Sequence, residues 1–87
     1  MTAMRFDVLV EVSPRQGVAD PQGQTIERSL PALGFDGVTG VRVGKAIRFQ
    51  VTADSESAAR TEVSDICARF LTNPVIEDSD VTLTAAS

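Results

Sequence analysis

The sequence predicts an α+β domain, a two-layer sandwich of one antiparallel sheet and two helices. Three observations lead there. Apolar and polar residues alternate near both ends of the chain and in its middle. Two stretches between them carry apolar residues at spacings of three and four. The resulting order is strand, helix, strand, strand, helix, strand. At 87 residues, with 43% hydrophobic and 23% charged side chains, the chain has the composition of a globular protein and the length of one hydrophobic core. A single domain over residues 1–87 is expected, with its ordered core at about 4–84.

From Met4 to Val12 the side chains alternate, with Phe6, Val8, Val10 and Val12 on one face and Arg5, Asp7, Leu9 and Glu11 on the other, which is the pattern of a half-buried strand. Residues 13–17 break it. Asp20-Pro21 then offers a helix start, a carboxylate cap followed by a proline whose missing N–H costs nothing at the first helical position. A helix over about 21–33 comes next, its apolar stripe being Ile26, Leu30 and Leu33, and Gly34 suits the left-handed stop. Pro31 should weaken the last turn, because its ring opposes the carbonyl of Glu27.

Residues 38–43 and 46–51 are rich in β-branched side chains and flank Gly44-Lys45, so a hairpin is expected. Ile47, Phe49 and Val51 would face the core. A second helix should start near Asp54 or Ser55 and run to about Leu71, with Ala59, Val63, Ile66, Cys67 and Phe70 as its buried stripe. Glu56 with Arg60 and Asp65 with Arg69 are acid-before-base pairs that support its exposed face. Asn73-Pro74 ends it, and residues 81–85 alternate as a final strand. Two βαβ halves in this order give the ferredoxin-like arrangement, a four-stranded antiparallel sheet with both helices on one face. The opposite face, carrying Leu9 and Val38 among polar neighbours, would be free to meet another sheet or subunit.

The composition argues against chemistry on this chain. There is no histidine, tyrosine or tryptophan, the one lysine is Lys45, and the one thiol, Cys67, falls on an apolar stripe where low-pKa thiols do not occur. One cysteine without histidine makes no zinc pattern, and Glu77, Asp78 and Asp80 lack the spacing of a calcium loop. No catalytic, cofactor-binding or metal-binding residue is therefore expected. With a formal net charge of −4 and eight basic residues spread along the chain, nucleic acid and anionic membrane are poor partners. A cytoplasmic location is expected from the single cysteine and the absence of a long apolar run.

Three stretches together carry a resemblance. Gly17-Val18-Ala19-Asp20-Pro21-Gln22-Gly23 leads to Leu33-Gly34-Phe35; then come Val41-Arg42-Val43-Gly44-Lys45 and Asn73-Pro74-Val75-Ile76-Glu77-Asp78. In order and spacing, from about Phe6 to Val81, they resemble the PurS family, the small subunit of phosphoribosylformylglycinamidine synthase (formylglycinamide ribonucleotide amidotransferase). The chain departs from the pattern at Ser79, where an aromatic residue is usual, at Arg15-Gln16, where a lysine is typical, and in its polar tail.

The resemblance implies a non-catalytic subunit that joins a glutaminase subunit to a large synthetase subunit in de novo purine synthesis and assists ammonia transfer. ATP and magnesium would then belong to the partner synthetase, with no cofactor on this chain. It also implies self-association as a dimer or tetramer. The residues expected at interfaces are Asp20, Gln22, Gly23, Arg42, Lys45, Asn73, Val75, Ile76, Glu77 and Asp78. Each has a plainer reading. Capping explains Asp20 and Pro21 but not Gln22 or Gly23; solvation suffices for Arg42 and Lys45; a loop built only to reverse the chain has no use for Val75 and Ile76. The alternative reading is a ferredoxin-like regulatory module that senses a small ligand.

Overall fold

The computed structural model describes residues 3–86. Three strands form the sheet: β1 (Met4–Pro14), β2 (Lys45–Ala53) and β3 (Glu77–Ala85), in the order β2-β1-β3 and antiparallel at both joints. The alternation of β1 decides which face is buried. Phe6 lies opposite Val51, Val8 opposite Phe49 and Leu83, and Val10 opposite Ile47 and Val81, so the odd-face polar residues turn together to the other side. On that side Gln50 Nε2 donates to Asp7 Oδ1 at 2.7 Å, and Leu9 is half-buried between polar neighbours.

One helix covers the apolar face. α1 is Pro21–Ser29, α2 is Glu56–Ile66, and it is α2 that lies on the sheet. Ser55 caps α2 by accepting from Ala58 N at 3.1 Å, and the expected pairs Glu56–Arg60 and Asp65–Arg69 close at 3.3 Å each. Ala59, Val63 and Cys67 bury against Phe6, Val8, Val10, Val12 and Val51. Each fully buried valine or phenylalanine here is worth roughly 1.5–3 kcal/mol relative to exposure.

The C-terminal end of the second helix departs from the expected stripe. Residues Cys67–Leu71 form a π-helical turn, closed by Thr72 N donating to Cys67 O at 2.9 Å across five residues. The wider turn rotates its last side chains about the helix axis. Leu71 comes inward to the core, while Phe70, expected to be buried, stands 85% exposed and Ile66 is only half-buried.

Two further expectations are corrected. The sheet has three strands among the described residues rather than four, because residues 38–43 form no strand, Gly40 among them lying at φ 70°, and the expected hairpin at Gly44-Lys45 does not form. The first helix does not share the sheet face with α2. It ends early, as Pro31 requires: α1 stops at Ser29, and a 3₁₀ turn over Pro31–Leu33 closes on Gly34, which has φ 94°. The physical reason for both corrections is a set of bonds between helix and returning chain. Asp20 Oδ2 accepts from Val43 N at 2.8 Å and Glu27 Oε1 from Val41 N at 2.9 Å, so residues 41–43 bind α1 instead of the sheet.

The result is an arm, residues 20–44, projecting from one end of the sheet. Ile26, Leu33, Phe35 and Val38 are exposed on it. The molecule measures 59 × 29 × 14 Å, and its radius of gyration of 17.1 Å compares with about 12 Å for a compact chain of this length.

Candidate functional site: an interface belt at the root of the arm

The root of the arm is where β1 ends and where β2 and β3 begin. Val12 lies opposite Lys45, and Pro14 opposite Glu77. Pairing on both sides of one strand end therefore brings three sequence-distant segments together. Asp20, Gln22 and Gly23 stand at the start of α1, Arg42 on the returning segment, Lys45 at the start of β2, and Asn73, Val75, Ile76, Glu77 and Asp78 in the turn leading into β3. All ten residues singled out from the sequence gather at this end. Gln22, Val43, Lys45 and Glu77 line one shallow cleft with Val12 and Pro14.

Asp20 is the anchor of the arm. Its Oδ1 accepts from Gly23 N at 3.0 Å while Oδ2 takes Val43 N, so one carboxylate both caps α1 and fastens the returning chain. The bonds from Val43 and Gly23, with Arg42 nearby, hold its carboxyl below the ordinary aspartate value. Gly23 is buried at the same contact: a β-carbon there would lie 2.5 Å from both Val41 O and Asp20 Oδ2. Gly44 allows an equally close approach to Val12 O. The Arg42 guanidinium donates to Pro14 O and ties the arm to the sheet.

The turn before β3 is locked from within. Asn73 Oδ1 accepts from Val75 N at 3.1 Å, Glu77 Oε1 from Asn73 N at 2.8 Å, and Asn73 O from Glu77 N at 2.8 Å. These bonds hold Val75 out at 80% exposure, beside the partly exposed Ile76. Asn73 and Glu77 thus position the loop, with Val75 and Ile76 exposed at its tip.

Two residues escape a reading of the sequence. Arg15 is the hub of the belt: its N donates to Ile76 O at 2.8 Å, its Nε to Glu77 O at 3.3 Å, and its guanidinium pairs with Asp78 at 3.5 Å. A basic residue in the first loop is the one available signal. Phe70 escapes because nothing local announces a π turn.

The carboxylates of Asp20, Glu77 and Asp78 are each engaged within the belt, by backbone N–H groups or by Arg15. Burial pushes the Cys67 thiol up, only partly offset by a hydrogen bond from Ser79, so it stays protonated near neutral pH. Among the described residues no three His, Cys, Asp or Glu side chains converge on one point, and no helix is long and apolar enough to cross a membrane. What the belt does present is a mixed surface of exposed hydrophobes, the Lys45 ammonium and internally satisfied carboxylates.

Comparison with known proteins agrees. The family model for PurS, phosphoribosylformylglycinamidine (FGAM) synthase, matches residues 7–85. The PurS subunit of that synthase from Methanothermobacter thermautotrophicus is 40% identical over 80 residues, 92% of this chain and 94% of that protein. Among solved structures, Methanocaldococcus jannaschii PurS, one of the subunits of formylglycinamide ribonucleotide amidotransferase in the purine biosynthetic pathway, superimposes with a TM-score of 0.82 at 32% identity, covering 94% of this chain and 99% of that one. A chain of the PurLQS structure from Thermotoga maritima gives a TM-score of 0.84 at 35% identity, covering 91% and 96%. The elongated shape and the belt are thus carried on a backbone that these proteins share along nearly their full lengths, and the chain belongs to the PurS family of phosphoribosylformylglycinamidine synthase subunits.

Proposed function

We propose that this chain is the non-catalytic bridging subunit of phosphoribosylformylglycinamidine synthase, holding a glutaminase subunit and a large synthetase subunit in one complex. The complex converts formylglycinamide ribonucleotide, glutamine and ATP to formylglycinamidine ribonucleotide, glutamate, ADP and phosphate in cytoplasmic purine synthesis. ATP and magnesium act on the synthetase, and this chain contributes geometry. Ammonia released at one active site is protonated and diluted in water, so a subunit that fixes the distance and excludes solvent between two sites raises the rate without reacting.

The observation that carries this reading is the likeness to a chain of the PurLQS assembly, joined here to a belt of exposed hydrophobes on a chain poor in reactive groups. It favours bridging over the ligand-sensing alternative. Reconstitution tests it: the pure chain should show neither glutaminase nor synthetase activity, and adding it to the other two subunits should restore glutamine-dependent amidation. Equal amidation with and without this chain would refute the proposal.

A further inference from the structure

A cleft of about 370 Å³ opens between the C-terminal end of the second helix and the first residues of β3. Register explains the room. Ser79 lies opposite Val12, on the face that Val81 and Leu83 turn to the core, so a small hydroxyl stands where the alternation of β3 has apolar side chains. From the helix side the cleft is lined by the equally small Ser64 and Ala68. The Ser79 hydroxyl is engaged with the buried Cys67 thiol. Thr72 also lines the cleft, and its Oγ1 is buried without a hydrogen-bond partner, the one side-chain group in that state among the described residues. An unpaired buried hydroxyl destabilises the chain that carries it, so its presence asks for a reason. The π turn brings it there, through the bond from Thr72 N to Cys67 O, and such turns recur at functional sites.

We propose that this cleft binds a small α-amino acid whose side chain ends in an amide. The charges lining it select a zwitterion. Arg15 uses its Nε for Glu77 O and Asp78 Oδ1, and its two Nη nitrogens make no hydrogen bond among the described residues, which leaves them free for an α-carboxylate. Asp78 gives Oδ1 to Arg15 and Glu77 gives Oε1 to Asn73 N, so each keeps a second oxygen that can accept from an α-ammonium. A simple anion would meet two carboxylates against one guanidinium, and a simple cation would meet the guanidinium.

The rest of the cleft selects the side chain. Every lining residue other than Arg15, Glu77 and Asp78 is uncharged. A charged side chain would lose water there without gaining a counter-ion, and an apolar one would leave Thr72 unpaired. An amide both donates and accepts, so it satisfies the hydroxyl whichever way the hydroxyl turns. The volume is at the small end of the range for ligand pockets, which suits a ligand of about ten heavy atoms rather than a nucleotide. The site goes beyond the bridging reading and does not depend on it.

The test titrates the isotope-labelled full chain with L-glutamine and L-asparagine and follows its amide NMR signals. Saturable shifts should centre on Arg15, Cys67, Thr72 and Ser79, with a Kd of about 0.1–1 mM for a ligand of this size. L-norleucine, which has the α groups without a side-chain amide, and glutaramate, which lacks the ammonium, should each bind roughly 10-fold more weakly. Ser79→Phe places a ring in the cleft and should abolish the shifts. Thr72→Val exchanges the hydroxyl for a methyl of the same shape and separates a ligand site from a structural role. It should raise the urea midpoint of the ligand-free chain, because a buried unpaired group is gone, while weakening L-glutamine roughly 10-fold. Absence of saturable shifts below about 10 mM would overturn the proposal, as would equal binding of L-norleucine or undiminished binding by Ser79→Phe. So would a Thr72→Val chain that loses stability, since the hydroxyl would then be satisfied within the fold. None of these outcomes bears on bridging, which is judged by reconstitution.

Discussion

Single residues fix the arm, and two of them give opposite predictions from those that their residue types suggest. Gly23 lies inside α1, where alanine ordinarily stabilises a helix by about 0.5–1 kcal/mol. Here the added methyl would collide with Val41 O and the Asp20 carboxylate, so Gly23→Ala should instead cost about 1–3 kcal/mol in urea unfolding. A gain in stability would show that the arm does not hold the close contact. Asp20 makes its two bonds through different oxygens. Asn at this position keeps one acceptor and turns an N–H₂ toward the N–H of Val43, so Asp20→Asn should loosen the arm at neutral pH. The depressed carboxyl sets the pH dependence. The folded state holds the proton more weakly than the unfolded state, so the stabilisation is complete above the ordinary aspartate pKa of about 3.9 and is lost as the pH falls below it. The urea midpoints of the parent and Asp20→Asn should therefore converge in that acid range, and a constant gap down to the acid limit would assign the effect to another group.

At the scale of elements, the strands on either side of the core were legible because alternation is a local signal, and every predicted core residue of the first strand is buried. The second helix was legible in its cap, its ion pairs and its first two turns. Its last turn was not, since a π turn adds one residue per turn without any marker in composition, and it moved Phe70 out and Leu71 in. The exchange of roles is measurable. Leu71→Ala should cost about 1–2 kcal/mol, the share of a half-buried leucine, whereas Phe70→Ala should stay within about 0.5 kcal/mol. Similar losses from both would mean that the helix continues regularly to its end. The fourth strand was misread for a different reason. Residues 38–43 have the side chains of a strand but form none, since pairing depends on where the chain goes next, and Gly40 among them takes φ 70°. Gly44-Lys45 has the composition of a turn without the geometry, because Asp20 and Glu27, 23 and 14 residues away from their partners in the sequence, bind the N–H groups of Val43 and Val41 and hold this segment to α1.

At the scale of the whole molecule, the belt residues were legible as motifs but not as a site. Each segment reads as a cap, a turn or a loop, and only the end of β1, paired on both sides, brings them together. Their separate roles can be told apart by what each change disturbs. Val75 is held outward by the bonds of Asn73 and Glu77 and supports nothing beneath it, so Val75→Asp should leave the thermal midpoint of the isolated chain unchanged. If the turn meets a partner subunit, the same change places a carboxylate in a desolvated contact and should weaken recruitment by roughly 30-fold, the effect of losing one interface hot spot worth about 2 kcal/mol. Asn73→Ala should act differently, because it frees the loop without altering its apolar tip. It should weaken recruitment less, and in a way that stabilising the turn by other means restores. Titrating the chain into the other two subunits while monitoring amidation separates the cases, since a saturating excess should recover full activity for both variants if their defect is binding alone. Full recruitment by Val75→Asp at parental concentrations would move the contact surface off this turn and leave the open sheet face, with Leu9 at its centre, as the place where the larger subunits sit.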